Sequence, residues 1–164
     1  MPTYHNGEDM WDVLDQADLF LITTCASLNR KGELIMGAGI AMEAKERWPK
    51  LPQIFGRLVR QLASDRNHDG PYGMIICYGL NPPTRIGAFQ TKHDWRNPSE
   101  IALIAYSIAQ LEQWIYSDRH DGGPLGTDHY IALPFPGIGN GGLPREQVKP
   151  WIDLLPNNVH VFER

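Results

Sequence analysis

Lys92-His93-Asp94-Trp95-Arg96 places an amine, an imidazole, a carboxylate, an indole and a guanidinium in five consecutive positions, after the strand-like Phe89-Gln90-Thr91. Such a run is equipped to act on an anionic substrate. Lys92 can neutralise a phosphate, or serve as a nucleophile where burial lowers its pKa. His93 and Asp94 are candidates to carry a proton, and Trp95 offers a flat apolar wall. The same residues also suit a solvated polar turn ahead of a helix. Spacing alone leaves both readings open.

Two glycine-dense loops lie on either side of this run, Met36-Gly37-Ala38-Gly39-Ile40-Ala41 and Pro136-Gly137-Ile138-Gly139-Asn140-Gly141-Gly142-Leu143. Each follows an apolar stretch and precedes a helical pattern. Bare N–H groups at a helix N-terminus form an anion site, and glycine lets a phosphate come close to them. One such loop is a weak signal, equally suited to helix entry. Two predict a ligand with two phosphates, or with a phosphate and a sugar. In the later loop four of the six residues from Gly137 to Gly142 are glycine. That composition loses much chain entropy on folding, which a plain connection seldom requires. Asn140 can hydrogen-bond a ligand from a left-handed turn position.

The elements that must position these loops alternate. Leu19 to Cys25, Tyr72 to Leu80, Ile86 to Thr91, Tyr130 to Pro134 and Val159 to Phe162 read as strands. Ala38 to Arg47, Leu51 to Leu62 and Pro144 to Leu155 read as helices. A fourth helix carries Ile101, Ile104, Ile108, Leu111 and Ile115 on one face, with Asn97 as expected N-cap, Pro98 at the first position and Glu100 completing a capping box. Residues 64–71 and 118–128 read as polar loops. Strands alternating with helices predict a three-layer α/β/α fold with a mixed, largely parallel central sheet. In such sheets ligands sit beyond the carboxyl ends of the strands, where all three loops are expected to converge.

The chain of 164 residues is expected to form one domain, 1–164. A net charge of −4 gives no overall basic field for a nucleic-acid backbone. No apolar run approaches a membrane span and no signal pattern opens the chain, so a cytoplasmic protein is expected. Cys25 and Cys77 fall in or beside core strands and read as buried reduced thiols. Without a Cys/His cluster of zinc spacing, no metal is expected.

Together these residues resemble a macrodomain, the ADP-ribose-binding module. Thr23-Thr24-Cys25 followed by Ile35-Met36-Gly37-Ala38-Gly39-Ile40-Ala41 is similar to the family's first ligand loop. Thr91-Lys92-His93-Asp94-Trp95 resembles the lysine motif of the branch that includes DNA-de-ADP-ribosylating antitoxin macrodomains and the human terminal ADP-ribose hydrolase. Leu133 to Leu143 is similar to the diphosphate-and-ribose loop, and Val148-Lys149-Pro150 continues the pattern into the last helix. The motifs occur in the family order.

The resemblance implies a macrodomain-like fold and a cleft for ADP-ribose, with no cofactor. Adenine would lie near Asp9 and Met10. The diphosphate would meet backbone amides of both glycine loops, with Ala38, Ile40 and Ile138 among the contacts. The distal ribose would sit between the first loop and Lys92, which would attack C1″ or stabilise the departing group. Asp9 equally suits an N-cap of a helical turn from Met10 to Leu14. The chain departs from the family at Cys25, where an asparagine usually holds the distal ribose and for which Asn29 is a candidate replacement. It departs again at Gly141, in place of the human-type aspartate, and at Pro144-Arg145. Proton transfer would then fall to His93, Asp94 or water.

The reading is an ADP-ribosyl hydrolase acting on a modified macromolecule, DNA or protein, as a monomer, with nucleic acid entering only as modified substrate. The alternatives are a non-catalytic ADP-ribose reader and a phosphatase-like nucleotide module for ADP-ribose-1″-phosphate. By resemblance such a module suits a bacterium or a phage.

Overall fold

Leu19-Phe20-Leu21-Ile22 is fully buried because it lies in β2 (Leu19–Thr24), an inner strand covered on both faces. The structure is a computed structural model describing residues 1–66, 70–117 and 129–164. The other strands are β1 (Thr3–Asn6), β3 (Met74–Asn81), β4 (Thr84–Gln90), β5 (Ile131–Pro134) and β6 (Val159–Glu163). They form one six-stranded sheet in the order β1-β6-β5-β2-β4-β3. Only the β3–β4 pair is antiparallel, so the sheet is mixed and largely parallel, as the alternation predicts.

Side chains alternate across a strand. Phe20 and Ile22 therefore pack with Ile86 and Ala88 against α1 (Gly39–Arg47) and α2 (Leu51–Arg66), through Ala41, Ala44, Leu51 and Phe55. Leu19 and Leu21 pack with Phe89 on the opposite face, against α3 (Ile101–Ile115) and α4 (Arg145–Ile152), through Ile104, Ile108, Leu111, Val148 and Ile152. Each large apolar side chain so buried stabilises the fold by about 1.5–3 kcal/mol relative to exposure. Three layers follow directly from these two apolar clusters. Cys25 and Cys77 are both buried free thiols. No helix among the described residues is long and apolar enough to cross a membrane.

Three expectations need correction. Strand β1 escapes the pattern reading because Thr3-Tyr4-His5-Asn6 is short, polar and half-exposed at the sheet edge. Its place is decided by parallel pairing with His160 to Glu163 of β6. The helix expected from residue 51 runs on to Arg66, through part of the expected 64–71 loop. Residues 67–69 and the whole loop expected at 118–128 lie outside the described residues.

The third correction bears on the site. Asn97 does not cap α3; the capping position is Glu100, and no side chain caps the helix. The backbone at 99 and 100 is held instead by tertiary hydrogen bonds. Ser99 N–H donates to the Gly141 carbonyl at 2.8 Å, and Glu100 N–H donates to the Thr91 carbonyl at 3.0 Å. Amides that a capped helix would turn inward thus tie the second glycine loop to the end of β4.

Candidate functional site

Strands β5, β2 and β4 are neighbours and run in the same direction. Their carboxyl ends therefore open on one side of the sheet, where ligands bind in such folds. Three segments leave from there: Cys25 toward the first glycine loop, Thr91 to Arg96, and Phe135 to Leu143. They enclose a cavity of about 700 Å³, within the range of small-molecule sites.

The loops meet. A Cβ placed on Gly39 would lie 3.4 Å from Asn140 Nδ2, so the second loop reaches across the mouth of the first. Gly39 opens α1 with φ +57°, a left-handed conformation that glycine tolerates. In the second loop Gly141 N–H donates to the Ile138 carbonyl (3.1 Å) and Gly142 N–H to that of Gly139 (3.0 Å), closing a short 3-10 turn over Gly139–Gly141. Leu143 N–H returns to the Gly137 carbonyl at 2.9 Å.

The cavity wall includes Met10, Cys25, Gly37, Ala38, Gly39, Ile40, Lys92, Trp95, Gly137, Ile138, Gly139, Asn140 and Gly141. Lys92 is half-buried and follows a strand end pinned from several directions. Gln90, fully buried, accepts from the Tyr72 and Gly73 amides through Oε1 (2.9 and 3.1 Å) and donates through Nε2 to the Lys92 carbonyl (3.3 Å). Thr91 N–H donates to the Thr24 carbonyl at 2.9 Å, and Ala26 N–H to that of His93 at 3.0 Å. Buried Tyr72 joins this frame by donating to the Cys25 carbonyl at 2.6 Å. Fixing the backbone on both sides of Lys92 sets where its stem enters the cavity.

Cys25 donates its thiol to the Ile35 carbonyl at 3.4 Å. Burial pushes that thiol up from its ordinary pKa, while the Lys92 charge pulls the other way. The candidate replacement, Asn29, is elsewhere: its Oδ1 accepts from the Lys31 and Glu33 amides (2.9 and 3.0 Å), and it is absent from the cavity wall.

Asp9, His93, Asp94 and Gly142 also lie outside the wall. Asp9 Oδ1 accepts from Trp11 N–H at 3.0 Å, capping the 3-10 turn Met10–Val13, and its carboxylate pairs with Arg164 at 3.2 Å. Asp94 is gripped by Arg96 through Nε (3.0 Å), Nη2 (2.7 Å) and the backbone N–H (2.9 Å). Those hydrogen bonds hold its carboxyl down to about 2, so it is ionised at neutral pH and unsuited to donate a proton. His93 turns outward, with Nε2 3.5 Å from Glu100 and both side chains more than half exposed. Gly142, at φ +74°, ends the 3-10 turn and is held by its own loop.

Several wall residues carried no signal in the sequence. Glu8, Glu43, Glu163 and Arg164 border the cavity on the side of Met10 and Phe162. Each of these side chains already has a partner: Glu8 contacts His5, Glu43 pairs with Arg164, and Glu163 with Arg145. Ser99 also lines the cavity, from the segment read as a helix start.

No family model matches the chain. Among curated proteins it is similar to the DNA ADP-ribosyl glycohydrolase of Thermus aquaticus, with 32% identity over 118 residues, covering 70% of this chain and 29% of that protein. The chain thus spans less than a third of that relative's length. Among solved structures it is similar to the macrodomain of Mycobacterium tuberculosis DarG, with 26% identity, TM-score 0.65, and coverage of 100% of this chain and 98% of that one. The macrodomain of Thermus aquaticus DarG matches with 25% identity, TM-score 0.66, and coverage of 99% and 96%.

Proposed function

Since the chain belongs to the macrodomain family, we propose that it binds ADP-ribose in this cavity and releases ADP-ribose from a modified macromolecule, DNA first among the targets. The observation that carries the reading is that Lys92 lines the same cavity as both glycine loops. In this arrangement the diphosphate lies against the backbone of the loops, where amides stabilise its charge without a metal. Adenine lies toward Met10, and the distal ribose lies between the first loop and Lys92.

Lys92 is the catalytic group of this reading. As an amine it attacks C1″, forming a C–N bond as the bond to the leaving group breaks, and water then cleaves that C–N bond, releasing ADP-ribose and restoring the amine. As an ammonium it stabilises the charge that develops on that leaving group while water attacks C1″. Asp94, locked to Arg96, and outward-facing His93 are given no role. The leaving group then takes its proton from water or from Lys92.

The test is side-by-side incubation with ADP-ribosylated DNA, RNA and protein, scoring released ADP-ribose, with calorimetry for binding. Lys92→Ala is expected to abolish release while changing ADP-ribose affinity less than about tenfold, as removal of a group that acts mainly in the transition state does. Unchanged turnover in that variant removes Lys92 from the mechanism. One observation favours a second reading, a non-catalytic reader: the carboxylates on the cavity wall are all paired, and position 141 carries no side chain. That reading predicts binding with no product after long incubation.

A further inference from the structure

Ser99 is 4% exposed, and its Oγ has no hydrogen-bond partner among the described residues. Other buried hydroxyls are satisfied. Thr84 Oγ1 donates to Leu14 and Ala17 carbonyls at 3.0 and 2.8 Å, Ser107 Oγ to that of Gln90 at 2.7 Å, and Thr24 Oγ1 pairs with Tyr72. A buried polar atom left unpaired is rare and unfavourable, and it calls for a partner. Ser99, like Thr24, lines the cavity, but unlike Thr24 Oγ1 its Oγ has no partner.

Its position is tightly set. Ser99 N–H is bonded to the Gly141 carbonyl, and the next amide to the Thr91 carbonyl, one residue before Lys92. The hydroxyl occupies space that a side chain at 141 would need, since a Cβ there would fall 2.5 Å from Ser99 Oγ and 3.1 Å from Ser99 Cβ. Glycine at 141 is therefore the complement of serine at 99. The polar group at this corner of the cavity comes from the segment before α3.

We propose that Ser99 is a ligand-positioning residue whose hydroxyl hydrogen-bonds a hydroxyl of the distal ribose and holds that sugar beside Lys92. A serine hydroxyl both donates and accepts, which suits a sugar hydroxyl. The assignment rests on the ADP-ribose reading above and adds the contact that orients the reacting end.

The experiment is calorimetry with ADP-ribose, competition with ADP, and thermal melting without ligand, on wild type, Ser99→Ala and Ser99→Cys. ADP-ribose affinity is expected to fall about 3- to 10-fold in Ser99→Ala, the loss of one hydrogen bond. ADP, which lacks the distal ribose, should compete as well as before. The unliganded melting temperature should hold or rise, because an unpaired buried hydroxyl is gone. Ser99→Cys, close in size but a weak donor, should behave like the alanine variant. Unchanged ADP-ribose affinity, an equal loss for ADP, full recovery in Ser99→Cys, or a matching loss of unliganded stability each overturns the proposal. A wild-type protein that fails to bind ADP-ribose refutes the functional reading itself, an outcome distinct from these.

Discussion

Gly137→Ala tests whether the second glycine loop has the geometry described. Gly137 has φ +82°, and an added Cβ would lie 2.6 Å from Ile104 Cδ1 and 3.0 Å from Leu143 Cδ1. The left-handed backbone costs an L-residue about 1–2 kcal/mol. Ile104 is fully buried on α3, so it cannot give way freely, and overpacking adds about 1–3 kcal/mol. The expected loss is about 2–5 kcal/mol, a large part of the ~5–15 kcal/mol that holds a domain together. Gly139→Ala supplies the control. Its φ is +62°, but nothing lies within 4 Å of an added Cβ, so only the backbone contribution of about 1–2 kcal/mol applies. Urea unfolding followed by circular dichroism reads both, with a midpoint drop of about 1–2.5 M for Gly137→Ala at a slope of about 2 kcal/mol/M. Equal losses in the two variants, or a Gly137→Ala midpoint matching wild type, would refute the packing of this loop against α3.

Two further outcomes are expected. Asn97→Ala should shift stability by less than about 0.5 kcal/mol in the same unfolding assay, because α3 starts beyond it; a loss of the size of a true N-cap, about 1 kcal/mol, would contradict the observed helix start. Cys25 should react with iodoacetamide more slowly than a free thiol at neutral pH, because burial raises its pKa and lowers its thiolate fraction. Its rate should keep rising with pH beyond the range where an ordinary thiol levels off, as followed by mass spectrometry; labelling as fast as free cysteine at pH 7 would contradict that burial.

Much of the scaffold can be read before any coordinates. The apolar run Leu19 to Ile22 reads as an inner strand, and Ile104, Ile108 and Leu111 at helical spacing read as the core face of a helix. The two glycine loops stand out because so many glycines in a row need a reason. The short polar strand β1 is not legible, because its stability comes from pairing with β6 and not from its own residues. Asn97-Pro98-Ser99-Glu100 misleads for a related reason: its local capping chemistry is sound, yet bonds to Gly141 and Thr91 override it.

Residue types and spacing by themselves determined the layers and the three loops, and the resemblance of Thr91-Lys92-His93-Asp94-Trp95 to a family motif singled out Lys92. Each depends on local pattern and on burial. Only the tertiary structure decided which neighbours of Lys92 face the cavity. Trp95 and Ser99 line it, whereas Asp94 is drawn off by Arg96 and His93 turns toward Glu100. Side chains adjacent in sequence leave a turn in different directions, and the backbone that aims them is held by segments distant along the chain, Thr24 to Ala26 and Tyr72.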